Sequence, residues 1–256
     1  MTSPSAAVDR LAAEVPDAFA GLPGERVRYA VARMLGLRLI SDIYERACDL
    51  NITLPAGAKR RRRLVALRHA GALFIHIPKN AGQSVSHALY GMQVKHASIR
   101  YYRRAAPDLA RLPSFAILRD PVERFASAYH YARQGGHPDN RITPGFFRIY
   151  SRFGGVDDAL DHVEAARSVY DVDHVFRPQS WYVTDRHGAV AVDRLLDFSE
   201  LAEIERLVPG CSIGPVGHLN RLARPDHALT PAQAERVRRL YAADVALIAG
   251  ARAARG

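Results

Sequence analysis

The chain is poor in cysteine and has no long apolar stretch. Two cysteines, Cys48 and Cys211, among 256 residues are too few for a disulfide framework or a four-cysteine zinc site, so they favour a reducing compartment. No uninterrupted apolar run approaches the roughly 18 residues that a membrane helix needs. The first ten residues also lack the basic-then-apolar order of a secretory signal. We therefore expect a cytoplasmic protein without a transmembrane segment.

Several catalytic signatures are missing as well. The sequence contains no Gly-x-Ser-x-Gly elbow, no His-Glu-x-x-His run and no paired-cysteine motif. No motif therefore supports the hydrolases and metalloenzymes that use these signatures. Lysine is scarce too: of the 36 Lys and Arg residues, three are lysines, at positions Lys59, Lys79 and Lys95.

The charged residues that are present leave a surplus of positive charge. Lys plus Arg number 36 against 26 for Asp plus Glu, which gives a formal net charge of +10, and 48% of the residues are hydrophobic. This composition is typical of a folded globular chain that favours anionic ligands or surfaces. We interpret the basic run Lys59 to Arg63 as a solvated turn or helix end at a joint in the chain. Binding of nucleic acid or another polyanion is the alternative role for this run.

Apolar patterning predicts an α/β fold. Residues 24–50 have nearly helical apolar spacing, interrupted at Gly36, so this segment is expected to be mostly helix. Beyond the basic run, short strands alternate with helices. The predicted strands cover 72–77, 115–119 and 194–198, and the predicted helices cover 84–90, 121–133, 200–207 and 230–248. We expect a central, mostly parallel sheet flanked by helices, with ligands at the carboxyl ends of the strands. The predicted organisation is an N-terminal helical extension, 1–68, followed by the main domain, 69–256.

The first predicted strand is followed by a loop that suits an anion. Pro78-Lys79-Asn80-Ala81-Gly82-Gln83-Ser84 lies between a strand and a helix start, where free backbone N–H groups and the helix dipole favour a phosphate or sulfate. The segment is not a Walker A loop, because Lys79 precedes Gly82 instead of following a second glycine. A magnesium-dependent nucleoside triphosphatase is therefore disfavoured.

The second predicted strand leads into a helix with a similar preference. Arg119 ends the strand, Asp120 and Pro121 are the expected N-cap and first helical residue, and Arg124 and Ser127 share one helical face. A planar guanidinium binds phosphate oxygens bidentately, and a hydroxyl adds a further donor. We therefore expect a second phosphate here. A capped helix with a surface Arg119–Asp120 ion pair is the alternative.

Together and in this order, the two motifs resemble the nucleotide-binding signature of sulfotransferases that use 3′-phosphoadenosine 5′-phosphosulfate (PAPS), especially the carbohydrate-type branch. The similarity covers about Ala72 to Ile248 and is weaker in its later parts. Those parts are His174-Val175-Phe176-Arg177-Pro178-Gln179, Phe198-Ser199-Glu200-Leu201 and Leu219-Asn220. With no predicted membrane span, the chain resembles a soluble, bacterial-type member of the family.

The resemblance implies a P-loop-like sulfotransferase fold and a set of site residues. Lys79, acting as leaving-group stabiliser, would hold the 5′-phosphosulfate together with the rest of the loop, and Arg119 with Ser127 would bind the 3′-phosphate. The other loop residues implied in cofactor binding are Asn80, Ala81, Gly82, Gln83 and Ser84. The implied reaction transfers a sulfonate group from PAPS to a hydroxyl of an acceptor, a glycan or glycoconjugate in this branch, and requires no metal.

Removing the proton of the acceptor hydroxyl needs a base, and imidazole is the usual choice near neutral pH. His96, between the two motifs, is the first candidate, because related glycan sulfotransferases use a histidine in this region. His174 is the second, either as the base or as a group that positions the acceptor, and His76 is expected to be structural. Tyr101 to Arg104 are either acceptor contacts or a solvated helix face.

Three other functions stay open at this point. The first is a nucleotide-dependent phosphotransferase that uses the same two loops, and the second is a non-catalytic polyanion-binding protein. The third is a family member that binds PAPS without turnover, suggested by Gln83, where the family more often has Thr. The acceptor could also be a small metabolite, no specific nucleic-acid partner is expected, and the oligomeric state does not follow from the sequence.

Overall fold

A computed structural model of the chain describes residues 25–137, 140–208 and 229–254. Cys211 and the Leu219-Asn220 pair lie outside the described residues.

The described chain is an α/β structure built on a small parallel sheet. Strands β1 (Leu73–Ile75), β2 (Ser114–Leu118) and β5 (Arg194–Asp197) lie in the order β1-β2-β5. Both strand pairs are parallel. The residues of β1 and β2 are all buried, as expected for parallel strands covered on both faces. A separate antiparallel pair consists of β3 (Gly136–His137) and β4 (Asn140–Arg141).

Twelve α-helices lie in the described ranges. Helices α1 to α12 span Glu25–Met34, Ile43–Asp49, Ala58–Ala70, Gly82–Tyr90, Ile99–Ala105, Pro121–Arg133, Pro144–Tyr150, Val156–Glu164, Gln179–Val183, Glu203–Leu207, Pro231–Leu240 and Ala242–Ala253. The α/β class and the parallel sheet flanked by helices are thus confirmed.

Local capping explains why the predicted helices begin where they do. The Asp120 carboxylate accepts hydrogen bonds from the backbone N–H groups of Val122 and Glu123 at the start of α6, and Thr230 opens α11 with the expected capping box. One prediction was too continuous, because the helix expected over 230–248 is divided at Tyr241. The mostly helical segment expected over 24–50 is interrupted by a turn at Gly36, as expected, and it also contains the short 3₁₀ helix Ile40–Asp42.

The buried apolar residues form two large clusters. One surrounds the sheet and includes Leu64 and Leu67 of α3 as well as strand residues such as Phe74. The other joins α6, α7, α8 and α11 through residues such as Phe125 and Tyr150. Residues before position 68 therefore pack into the same core as the strands, while the division into 1–68 and 69–256 stays a prediction.

A buried ion pair connects the N-terminal segment to the second half of the chain. Asp42 and Arg177 are both fully buried, and the two Arg177 Nη atoms donate to the two Asp42 carboxylate oxygens at 3.0 and 2.5 Å. A paired guanidinium and carboxylate can satisfy each other away from water. The pair fixes the 3₁₀ helix Ile40–Asp42 beside the segment that precedes α9.

Candidate functional site

The loop after β1 has an unusual backbone. Lys79 and Ala81 have φ values of 70° and 57°, in the left-handed region that costs a non-glycine residue about 1–2 kcal/mol. Ala81 is the N-cap of α4, and its methyl side chain makes no capping hydrogen bond. Because the first turn of a helix has N–H groups without intrahelical acceptors, the loop presents donors to an anion at the carboxyl end of β1.

Gly82 is required by the packing of His76. A Cβ atom at Gly82 would lie 1.8 Å from His76 Cδ2 and 2.1 Å from His76 Nε2, so only glycine lets this ring lie against the start of α4. Burial lowers the pKa of His76 to about 4, and its Nδ1 lies 3.1 Å from the Val94 carbonyl oxygen. His76 is thus a neutral, buried residue, which agrees with its expected structural role.

A network of amide hydrogen bonds joins the loop to the end of β2. Asn80 Nδ2 donates to the Ile117 carbonyl and to Gln179 Oε1, both at 2.7 Å. Gln179 also accepts from the Arg119 N–H at 3.0 Å and donates to the Arg119 carbonyl at 2.8 Å. The Asn80 Nδ2 group therefore holds the loop against the end of β2. Its Oδ1 is buried and has no hydrogen-bond partner among the described residues.

Lys79 is half-buried at the top of the loop. Its Nζ lies 4.1 Å from the centroid of the Tyr131 ring on α6, a distance typical of a cation–π contact. Burial, together with Arg119 and Arg124, lowers the pKa of Lys79 to about 8. The ammonium group therefore has positive neighbours, an arrangement that a bound anion would relieve.

Arg119 stands at the end of β2, facing the loop. Its Nη1 donates to the Lys79 carbonyl at 3.4 Å, and its Nε lies 3.3 Å from Glu123 Oε2. The guanidinium also lies 5.2 Å from the Phe198 ring centroid. Ser127 is one helical turn beyond Glu123, so these two residues lie on the same side of α6, and Arg119 precedes the N-cap of that helix.

Arg124 does not serve the purpose expected for it. It is buried, its Nε donates to the Pro78 carbonyl at 3.1 Å, and its Nη2 donates to the carbonyls of Val175 and Arg177. These bonds connect the Pro78 end of the loop to the backbone of the segment that precedes α9. The expectation that Arg124 and Ser127 together hold a phosphate is therefore corrected, because backbone carbonyls already use this guanidinium.

His96 lies beside the same strand end, against His76. The two ring centroids are 4.2 Å apart, and His96 Nδ1 lies 3.1 Å from the His76 carbonyl oxygen. Because a carbonyl can only accept, Nδ1 carries the proton and Nε2 has the free lone pair. Burial and the nearby His76 lower the pKa of His96 well below its usual value. The ring is thus neutral at physiological pH, as a proton acceptor must be.

His174 is near His96, with ring centroids 5.8 Å apart, but both of its nitrogens have polar neighbours. Nε2 lies 3.3 Å from Ser41 Oγ and 3.4 Å from Asp42 Oδ1, and Nδ1 lies 3.4 Å from the Tyr182 hydroxyl. Burial, with Arg177 and His96, lowers its pKa well below the usual range. These contacts hold the ring in place and leave it less suited than His96 to accept a proton.

The structure thus brings the expected loop, Arg119 and the two candidate histidines to the carboxyl ends of neighbouring parallel strands. Sequence reasoning missed Tyr131 beside Lys79, and it cited Gln179 only as part of a family segment. The acceptor contact considered for Tyr101 to Arg104 is not supported. Tyr101 and Tyr102 are buried in the core, and the exposed side chains of Arg103 and Arg104 donate to backbone carbonyls.

No protein-family model matches this chain, and neither the curated proteins nor the solved structures include a match. Within the described ranges, no helix is long and apolar enough to cross a membrane. In the same part of the chain, no three His, Cys, Asp or Glu side chains are grouped to hold a metal ion.

Proposed function

We propose that this protein is a sulfotransferase that moves a sulfonate group from PAPS to an acceptor hydroxyl. The observation that carries the proposal is the convergence at one sheet edge of two kinds of group. One is a helix start whose N-cap residue, Ala81, makes no side-chain capping bond, with Lys79 beside it, and the other is a neutral histidine whose Nε2 is unprotonated. Anion binding and proton acceptance are the two requirements of transfer to a hydroxyl.

PAPS has a 5′-phosphosulfate and a 3′-phosphate on its ribose, and the residues present suit both groups. The first-turn N–H groups of α4, with Lys79 and Ser84, would hold the 5′-phosphosulfate. Arg119, at the end of the neighbouring strand, would hold the 3′-phosphate together with Ser127 of α6, and the Phe198 ring lies beside the Arg119 guanidinium. The side chain of Asn80 would position the loop instead of contacting the nucleotide, because its amide is already bonded to Ile117 and Gln179.

Each side chain then has a distinct role. PAPS supplies the activated sulfonate. The side chains of the protein accept the acceptor's proton and offset the negative charge of the leaving group. His96 Nε2 accepts the acceptor's hydroxyl proton, since Nδ1 is held by the His76 carbonyl. Lys79 offsets negative charge on the leaving phosphate, as a compact ammonium on a flexible stem can do. His174 holds the surrounding structure through Ser41 and Asp42.

Calorimetric titration of the full chain tests the nucleotide site. Adenosine 3′,5′-bisphosphate should bind, adenosine 5′-monophosphate should bind much more weakly, and Arg119→Ala should weaken bisphosphate binding by roughly 1.5–3 kcal/mol, the range of a charged hydrogen bond. Arg111→Ala is the matched control, because Arg111 is exposed and lies in the 3₁₀ helix before the other end of β2.

Two outcomes would overturn the proposal. Equal binding of the mono- and bisphosphate would remove the basis for a PAPS site. Preferential binding of ATP with magnesium would favour a phosphotransferase that uses the same loops.

A further inference from the structure

A second group of basic side chains lies beside the two histidines. Lys95, the neighbour of His96, places its Nζ 3.5 Å from the Ser41 carbonyl, and Arg60 of α3 places its Nη2 3.5 Å from the same oxygen. The hydroxyl of Ser41 is the group that contacts His174. Two cations from distant parts of the chain therefore converge on one residue at the edge of the proposed site.

Nothing in the described part of the chain neutralises these cations directly. The two carboxylates in electrostatic range of Lys95 are Asp42 and Glu45, and both are bonded to other groups. Asp42 pairs with Arg177, and both oxygens of Glu45 accept from Ser98. Burial, with the positive charges of Arg60 and Arg63, lowers the pKa of Lys95 to about 7.

The position of two arginines on α3 adds to the excess of positive charge near Lys95. Arg60 and Arg63 stand three residues apart in the first two turns of a helix that begins at Ala58, so they share one face. Positive charge at a helix N-terminus opposes the helix dipole. Arg60 is also fixed, with its guanidinium 3.5 Å from the Tyr44 ring centroid and 5.1 Å from that of Tyr101. A rigid, half-buried cation without a carboxylate suits an external anion.

We propose that Lys95, Arg60 and Arg63 form a subsite for a negatively charged group of the acceptor: a sulfate, phosphate or carboxylate held beside His96. The assignment to the acceptor rests on the sulfotransferase function proposed above. The anion site itself rests only on the contacts just described. It gives two arginines of the basic run Lys59 to Arg63, Arg60 and Arg63, a local role within the fold. The acceptor would be an anionic hydroxyl compound.

Nuclear magnetic resonance titration of the full chain with sodium sulfate at constant ionic strength tests the subsite. The Arg60 Nε–H signal, identified by its absence in Arg60→Gln, should shift saturably. Lys95→Gln should weaken this binding by about tenfold or more, the effect of losing a charged hydrogen bond, and Lys95→Arg should restore most of it. Lys59→Gln is the matched control, since Lys59 is exposed on the same helix, and it should change the affinity less than about twofold.

The possible outcomes separate the subsite from the proposed function. A shift that does not saturate, or an equal loss in Lys59→Gln, would overturn the subsite and favour diffuse polyanion binding. Sulfate binding at Arg60 without any binding of adenosine 3′,5′-bisphosphate would leave the subsite intact and reject the sulfotransferase. Repeating the titration with phosphate and with acetate, with the bisphosphate bound, would show whether the subsite prefers a tetrahedral anion or a carboxylate.

Discussion

Removing Asp42 should destabilise the whole protein, because its partner Arg177 cannot reach water. Both side chains have no exposed surface. With Asp42→Ala, the Arg177 guanidinium would retain one long hydrogen bond, 3.3 Å to the Val172 carbonyl. Breaking a buried pair in this way costs about 3–5 kcal/mol, which is a large part of the roughly 5–15 kcal/mol that stabilises a typical domain.

Urea denaturation, followed by the fluorescence of the single tryptophan, Trp181, measures this loss. The Arg177 guanidinium lies 5.2 Å from the Trp181 ring centroid, so the probe reports on the region of the pair. Asp108→Ala is the matched control, because it removes an exposed ion pair with Arg68, and such pairs contribute at most about 1 kcal/mol.

The result that would refute this reasoning is a loss below about 1 kcal/mol for Asp42→Ala, or a loss equal to that of Asp108→Ala. If Asp42→Ala does not fold, the double variant Asp42→Leu/Arg177→Met keeps the test available. Replacing both charges removes the unpaired group, so this variant should recover most of the stability. Failure of the double variant to recover it would mean that the pair has a role other than mutual neutralisation.

Three further predictions concern the loop and the base. Gln179→Ala would leave the N–H and carbonyl of Arg119 without their side-chain partner, so urea denaturation should show a loss of about 2–4 kcal/mol; an unchanged midpoint would contradict the network. Gly82→Ala should displace the His76 ring and lower stability by about 1–3 kcal/mol, and a crystal structure with His76 unmoved would contradict this. His96→Gln should lower PAPS-dependent turnover by about 10²–10⁴-fold while calorimetry shows unchanged bisphosphate binding. The same turnover loss in His174→Gln, but not in His96→Gln, would identify the other histidine as the base.

The strands and several helix starts could be predicted because their signals are local. The apolar runs that became β1 and β2 are short and continuous, as buried parallel strands require. Asp120 followed by Pro121, and Thr230 with Gln233, specify helix starts through bonds within three residues. The carboxyl ends of parallel strands lie at one edge of a sheet, so the neighbourhood of the loop and Arg119 followed as well.

The partners across the chain could not be predicted, because they depend on packing between distant segments. Asn80 and Gln179 are 99 residues apart, and Asp42 and Arg177 are 135 residues apart. In the sequence, Arg124 and Arg119 are both arginines near one strand end. Their roles differ because of where the fold places them. Arg124 is buried and donates to three backbone carbonyls, whereas Arg119 is half-exposed.

Two of the three lysines in this arginine-rich chain occupy the proposed site, and both have lowered pKa values, about 8 for Lys79 and about 7 for Lys95. Arginine would stay charged at any working pH, whereas a buried lysine can lose its proton. An empty site therefore carries less positive charge than the sequence implies, and a bound anion favours the protonated lysines. Above pH 8 Lys79 is mostly neutral without ligand, so bisphosphate affinity should fall as pH rises and binding should take up protons. In Lys79→Arg, calorimetry in buffers of different ionisation enthalpy should show this proton uptake reduced above pH 8, and an unchanged uptake would mean that another group titrates.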